Sequence, residues 1–238
     1  MTTLITGASS GIGETLALES SARGEELFIC GRNLERLRAV AEKCKGPCIY
    51  EVIDVSDREA VEDWMTRIHA AHPIDRVFAN AGVSTGEETS ANARRTFEIN
   101  VMGTVNTVLP AIDLGIGQIV ITASIAGYGP LKACPSYSAS KACLKTWGLA
   151  LRGALAPRGI KVNVICPGFV RSRITDKNTC PMPFFMEADK AARIILKGVD
   201  KNRGLIAFPA PLRFATYLIS ILPYRLNELI NKLLPKKA

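Results

Sequence analysis

Thr2-Thr3-Leu4-Ile5-Thr6-Gly7-Ala8-Ser9-Ser10-Gly11-Ile12-Gly13 is the stretch on which the fold turns. Thr2–Thr6 reads as a first strand, and a helical segment follows the glycines to about Arg23. Glycines between a strand and a helix start allow a tight turn and a close backbone approach to a pyrophosphate, which a helix N-terminus favours. The spacing is G-xxx-G-x-G rather than the general G-x-G-xx-G, so a plain glycine turn stands as the alternative. Gly7-Ala8-Ser9-Ser10-Gly11 also spells G-x-S-x-G, the pattern of a hydrolase nucleophile elbow. That chemistry needs a histidine base late in the chain, and the only histidines are His69 and His72, at a predicted helix end. They read as surface residues.

Outward from this turn, short apolar runs alternate with helix-period segments, as in a parallel α/β sheet. Further strands are expected at Leu27–Gly31, Cys48–Asp54, Arg76–Asn80, Gln118–Ser124, Lys161–Cys166 and Leu205–Phe208. Asn33 is a predicted N-cap for a helix over Leu34–Lys45, and Ser56 with Glu59 a capping box for one ending near Ala71. A long helix is expected over Ala91–Leu114, with Pro110 disturbing its end, and another from Tyr137 to about Ala156. A further helix is expected over Glu187–Lys201. Leu114–Leu131 carries no charge, but its glycines, polar residues and Pro130 favour a buried strand and turn over a membrane span.

The 238 residues, 47% hydrophobic, suit one α/β domain with a substantial core. The first residues lack the features of a signal peptide. Seven scattered cysteines argue against a disulfide framework and for a cytoplasmic setting. Cys44 and Cys48 have no second ligand pair near them, so no metal is expected. Of the net charge of +8, residues 193–238 supply +7, from nine Lys/Arg against Asp200 and Glu228. With the basic character confined to the tail and no recognition motif beside it, nucleic-acid binding is unsupported.

Tyr137-Ser138-Ala139-Ser140-Lys141 places a phenol and an ammonium about one helical turn apart on one face. An ammonium beside a phenol favours the phenolate and is expected to lower the tyrosine pKa from its usual value of about 10. So tuned, Tyr137 can give a proton to a developing alkoxide or take one from an alcohol.

Taken in order, Thr6-Gly7-Ala8-Ser9-Ser10-Gly11-Ile12-Gly13, Asn80-Ala81-Gly82, Ser124 and Tyr137-xxx-Lys141 resemble the short-chain dehydrogenase/reductase family over residues 2–208. The resemblance implies a single Rossmann-type, doubly wound domain of about seven parallel strands flanked by helices. It implies a nicotinamide cofactor and hydride transfer between a carbonyl and an alcohol. Carried across, Ser124 would hold the substrate oxygen and Tyr137 would be general acid and base. Lys141 would bind the nicotinamide ribose, and Asn100 would hold a water of the proton relay. Gly7, Ser9, Ser10, Gly11, Ile12 and Gly13 would cradle the phosphates, Asp54 and Val55 would contact adenine, and Asn80, Ala81 and Gly82 would line the cofactor. Pro167, Gly168, Val170 and Ser172 would flank the nicotinamide, Ser172 standing where a threonine is usual. The second strand ends Ile29-Cys30-Gly31-Arg32, with no acid at the place that reads a ribose 2′-hydroxyl. Arg32 forks well around a 2′-phosphate, which points to NADP(H). The family commonly forms dimers or tetramers, through the helices at 91–114 and 137–156.

Residues 173–190 are the expected substrate lid. Pro181-Met182-Pro183-Phe184-Phe185-Met186 either lines the mouth of a pocket for an apolar carbonyl or alcohol, or packs the lid onto the core. The apolar, basic tail over 211–238 has three readings: covering the pocket, joining an oligomer interface, or lying on an anionic membrane surface with Lys232, Lys236 and Lys237 toward the headgroups. Packing against the protein is the favoured one. A catalytically silent, dinucleotide-bound regulator on the same fold remains the alternative to an oxidoreductase, although a regulator would not need all of Asn100, Ser124, Tyr137 and Lys141.

Overall fold

The structure, a computed structural model, describes residues 1–176, 178 and 181–233. Its centre is a parallel sheet of β1 (Thr2–Thr6), β2 (Glu26–Gly31), β3 (Cys48–Val52), β4 (Arg76–Ala79), β5 (Gln118–Thr122), β6 (Lys161–Pro167) and β7 (Leu205–Phe208), in the order β3-β2-β1-β4-β5-β6-β7. Side chains alternate across a strand, so a sheet covered on both faces needs unbroken apolar runs. In β5, Ile119 and Ile121 enter one core while Val120 enters the other; in β4, Val77 and Ala79 face one side and Phe78 the opposite one. Edge strand β3 departs from this, with Ile49 and Val52 half exposed.

One core lies between the sheet and α3 (Arg58–Ala71), α5 (Gly103–Asp113) and α6 (Pro135–Leu155), with Trp64, Met65, Val108 and Leu144 at its centre. The other lies under α1 (Gly11–Ala22), α2 (Leu34–Lys43) and α7 (Ala188–Asp200), filled by Leu16, Leu37, Ile195 and Leu196. Burying one such aliphatic side chain is worth about 2 kcal/mol. β1 pairs with β2 on one side and β4 on the other. The chain therefore winds outward in both directions from β1, and a crevice opens above the C-terminal ends of β1 and β4.

The expected strands at 48–54, 76–80 and 118–124 each end one or two residues early, at Val52, Ala79 and Thr122. The residues left outside include Asp54, Asn80 and Ser124, which leave the ladder to bond with the loops around the crevice. Asn33 caps α2 as expected, its side chain accepting from Arg36 N at 2.9 Å. For α3 the cap is not Ser56 but Asp57, whose carboxylate accepts from Ala60 N at 3.0 Å. Ser56 is already committed, its hydroxyl and N–H both donating to Asp54 Oδ1 at 2.8 and 3.0 Å. The helix expected over 91–114 is α4 (Ser90–Phe97), one π turn (Glu98–Met102) and α5, and Pro110 lies within α5 rather than ending it. The tail forms α8 (Ala210–Ser220) and α9 (Tyr224–Leu233). No helix among the described residues is long and apolar enough to cross a membrane.

Candidate active site

The turn after β1 is packed so tightly that side chains have no room. Gly7 has φ +68°, and a Cβ there would lie 2.6 Å from Ala81 Cα. A Cβ on Gly13 would lie 2.3 Å from the Gly7 carbonyl oxygen and 2.6 Å from Asn80 Nδ2. Thr6 Oγ1 holds the opposing loop, accepting from Asn80 N at 3.1 Å and Ala81 N at 3.3 Å. Asn80 closes the seam by donating to Thr6 O at 3.2 Å and accepting from Thr122 Oγ1 at 3.2 Å. Ser10 stands at the N-cap of α1 without a side-chain cap bond, so the first amide donors of that helix are left for a ligand. A glycine cradle with an uncapped helix start fits a pyrophosphate on structural grounds alone.

One cleft of about 590 Å³ runs over this turn, and every cofactor-binding residue expected from the sequence lines it. At the end beside β2, Arg32 stands 3.7 Å from Asp54. Burial works to raise the Asp54 carboxyl, but the Ser56 hydrogen bonds and the charges of Arg32 and Arg95 hold it below the usual carboxylate range. Beside the cleft a second hollow is lined by Ser9, Arg32, Asn33, Arg36 and Arg173. Sequence reading found Arg32 alone. Arg36 sits in the first turn of α2 and Arg173 in the segment after β6, so only folding brings the three arginines to the lining of one hollow.

At the other end lie the phenol, hydroxyl and ammonium. Pro135 starts α6 at a position where its missing N–H costs nothing, and Tyr137 follows in the first turn. The Ser124 hydroxyl hydrogen-bonds the Tyr137 phenol. Lys141, 4% exposed, donates from Nζ to Thr122 O at 2.9 Å and stands 5.8 Å over the Tyr137 ring. The expected lowering of the tyrosine pKa does not occur in this arrangement: burial pushes the phenol up to about 12, against the Ser124 hydrogen bond. Burial also pulls the Lys141 ammonium down to about 8. The ammonium lies over the ring face and is spent on a carbonyl, so desolvation decides both groups.

Asn100 is fully buried in the π turn and does not line the cleft. Its amide clamps the Val83 backbone, accepting from Val83 N at 2.7 Å and donating to Val83 O at 3.0 Å. It also donates to Ser140 Oγ at 3.0 Å, tying the loop after β4 to α6. The π turn, a local irregularity common at functional sites, was not legible in the residue pattern. Near the start of the segment expected as a lid over 173–190, Val170 forms a parallel bridge with Met186. Arg173, Ile174 and Thr175 line the cleft, whereas Phe184 and Phe185 are exposed. Lys177, Thr179 and Cys180 of the lid lie outside the described residues. His69 Nδ1 accepts from Ile74 N and His72 faces Glu26, both remote from the cleft.

The family model for short chain dehydrogenase matches residues 1–181. The chain belongs to the short-chain dehydrogenase family. An uncharacterised oxidoreductase of Myxococcus xanthus is 37% identical over 93% of this chain and 92% of its own length. An 11-beta-hydroxysteroid dehydrogenase-like 2 protein of Arabidopsis thaliana is 29% identical over 96% of this chain and 80% of its own. Among solved structures, a short-chain dehydrogenase from Sphingobium yanoikuyae in complex with NADPH superposes with a TM-score of 0.77, covering 98% of this chain and 93% of that one at 24% identity.

Proposed function

We propose that this protein is an NADP(H)-dependent oxidoreductase interconverting a carbonyl and an alcohol. The observation that carries the reading is the half-buried Tyr137, hydrogen-bonded to Ser124 at one end of a cleft whose other end is lined by Arg32 and Arg173, with Arg36 in the hollow beside it. When bound, the nicotinamide supplies or receives the hydride. Ser124 holds the substrate oxygen beside Tyr137, and Tyr137 Oη gives it a proton in reduction or removes one in oxidation. With its phenol pushed up to about 12, Tyr137 rests as the neutral acid that reduction needs, while oxidation needs the phenolate that this burial disfavours. Lys141 keeps a cation over the face of the Tyr137 ring and would hold the nicotinamide ribose. Asn100 acts by fixing the Val83 loop and Ser140, a positioning role rather than direct contact. Arg32, Arg36 and Arg173 form a site for a 2′-phosphate.

The substrate we assign is an apolar carbonyl or alcohol. The steroid-dehydrogenase name of the Arabidopsis relative supports that class. We take the chain as one domain, with a lid over 173–190. Exposed Phe97, Met102 and Leu109 on the α4–α5 side and Leu149 on α6 support pairing of subunits through those helices. Concentration-dependent light scattering that shows only a monomer would remove that part of the reading. None of the six described cysteines forms a disulfide with another, which fits a reducing cytoplasmic setting.

Initial rates with NADPH and NADH over a graded panel of aldehydes and ketones test the function. The reading requires turnover that prefers NADPH, weakens in Arg32→Ala and rises with apolar length. Tight NADPH binding with no turnover anywhere in the panel would favour the silent regulator.

A further inference from the structure

Helix α8 has no buried residue. Leu212, Thr216 and Ile219, on one of its faces, are half-buried. Leu212 Cδ2 lies 3.1 Å from where a Cβ on Gly168 would stand, and Ile125 Cδ1 is 3.3 Å from the same point. At 100° per residue, Phe214, Tyr217, Leu218 and Ile221 fall on the opposite face. They form one outward stripe, 64%, 51%, 43% and 61% exposed. Buried Asn227 pins α9 to α8, donating from Nδ2 to Ile219 O at 3.1 Å, and α9 adds exposed Leu226 and Leu229. An exposed stripe of large apolar side chains marks an interaction surface rather than a solvated face.

Charge selects the occupant. Residues 209–238 carry Arg213, Arg225, Lys232, Lys236 and Lys237 against Glu228 alone. Lys236 and Lys237 lie outside the described residues and enter by sequence only. A second copy seated on this face would bring two strongly basic surfaces together. An anionic lipid surface would neutralise them, and an apolar helix face flanked by Arg and Lys is the composition that seats in the interface. We infer that the outward face of α8, with α9, docks onto the surface of an anionic phospholipid bilayer. The inner face of α8 packs on Gly168 and Ile125, beside Ser124, so docking would hold the wall of the cleft within about one helix diameter, ~10 Å, of the lipid. This attachment does not depend on the chemistry proposed for the cleft: vesicle binding and turnover fail or succeed separately.

The test is cosedimentation of the full chain with vesicles of phosphatidylcholine alone and of phosphatidylcholine mixed with phosphatidylglycerol. The protein is expected to pellet with the mixed vesicles only. Phe214→Glu combined with Ile221→Glu should lower the bound-to-free ratio about tenfold or more. Arg225→Gln should lower it about fivefold. Both variants should keep the wild-type urea midpoint and NADPH affinity, since the changed side chains are exposed. Failure to pellet with the mixed vesicles would overturn the inference. So would unchanged pelleting of the double variant, which would place the contact elsewhere. A lipid-free dimer that falls apart in the double variant would assign the face to a second copy instead.

Discussion

At the N-terminal ends of the strands, buried polar groups are matched against one another. Arg76, first in β4, stands 3.6 Å from Glu25 and 3.4 Å from Asp200 and donates to Gln118 Oε1 at 3.0 Å. Thr3 Oγ1 adds a 2.7 Å bond to Glu25. At the C-terminal ends, Ser10 gives α1 no side-chain cap, three arginines line one hollow, and the ammonium of Lys141 is buried with no carboxylate ion-paired to it among the described residues. The first end sets its own charges against one another, although Arg76 Nη1 itself makes no hydrogen bond; the second presents its donors and cations toward the crevice. A fold can hold strained or under-satisfied groups at a ligand site when the remainder of the molecule is well packed.

Four perturbations sharpen or break this contrast. Arg76→Met removes one partner of a buried ion pair and should cost about 3–5 kcal/mol in urea unfolding while leaving turnover per folded molecule near wild type. A large loss of turnover with unchanged stability would invert the assignment of the two ends. Gly13→Ala forces a methyl into the Gly7 carbonyl and should weaken NADPH binding at least about tenfold, measured by nucleotide fluorescence. Affinity equal to wild type would mean that this turn does not meet the cofactor.

The third is a pH titration. Lys141 is pulled below its usual range to about 8, so its charge is lost as pH rises through that value. NADPH affinity should fall above pH 8, and Lys141→Met should flatten that part of the profile. Between pH 8 and the ordinary lysine range the unfolded chain binds more protons than the folded one, so this group makes stability rise with pH there. A stability curve in wild type minus Lys141→Met that falls over that interval would contradict the burial argument. The smallest effect is expected from Asp57→Ala, which removes the cap of α3 far from the cleft. It should cost about 1 kcal/mol, with no change in cofactor affinity.

The seven strands, the glycine turn and the Asn33 cap were legible because each rests on local pattern: apolar runs of strand length, glycines at a strand-to-helix junction, and an Asn before a helical segment. Three features were not. The meeting of Arg36 and Arg173 with Arg32 depends on how α2 and the segment after β6 come to border one hollow, which no spacing encodes. The electrostatics of Tyr137 and Lys141 depend on burial, and side chains four apart in sequence carry no information about solvent. The apolar character of α8 could be read, but which face turns outward is fixed by the contact of Leu212 with Gly168 and Ile125. The same limit explains Asn100: its residue type fitted a site role, while the π turn that buries it beneath the cleft left no trace in the sequence.

The most direct test is NADPH turnover in Tyr137→Phe, with the best substrate of the panel, set beside its urea midpoint. A fall of about 10²–10⁴-fold in kcat with the midpoint and NADPH affinity kept near wild type is the predicted result, because only the proton donor has been removed. Turnover within a few-fold of wild type would show that the acid lies elsewhere and that the phenol of Tyr137 is a packing group.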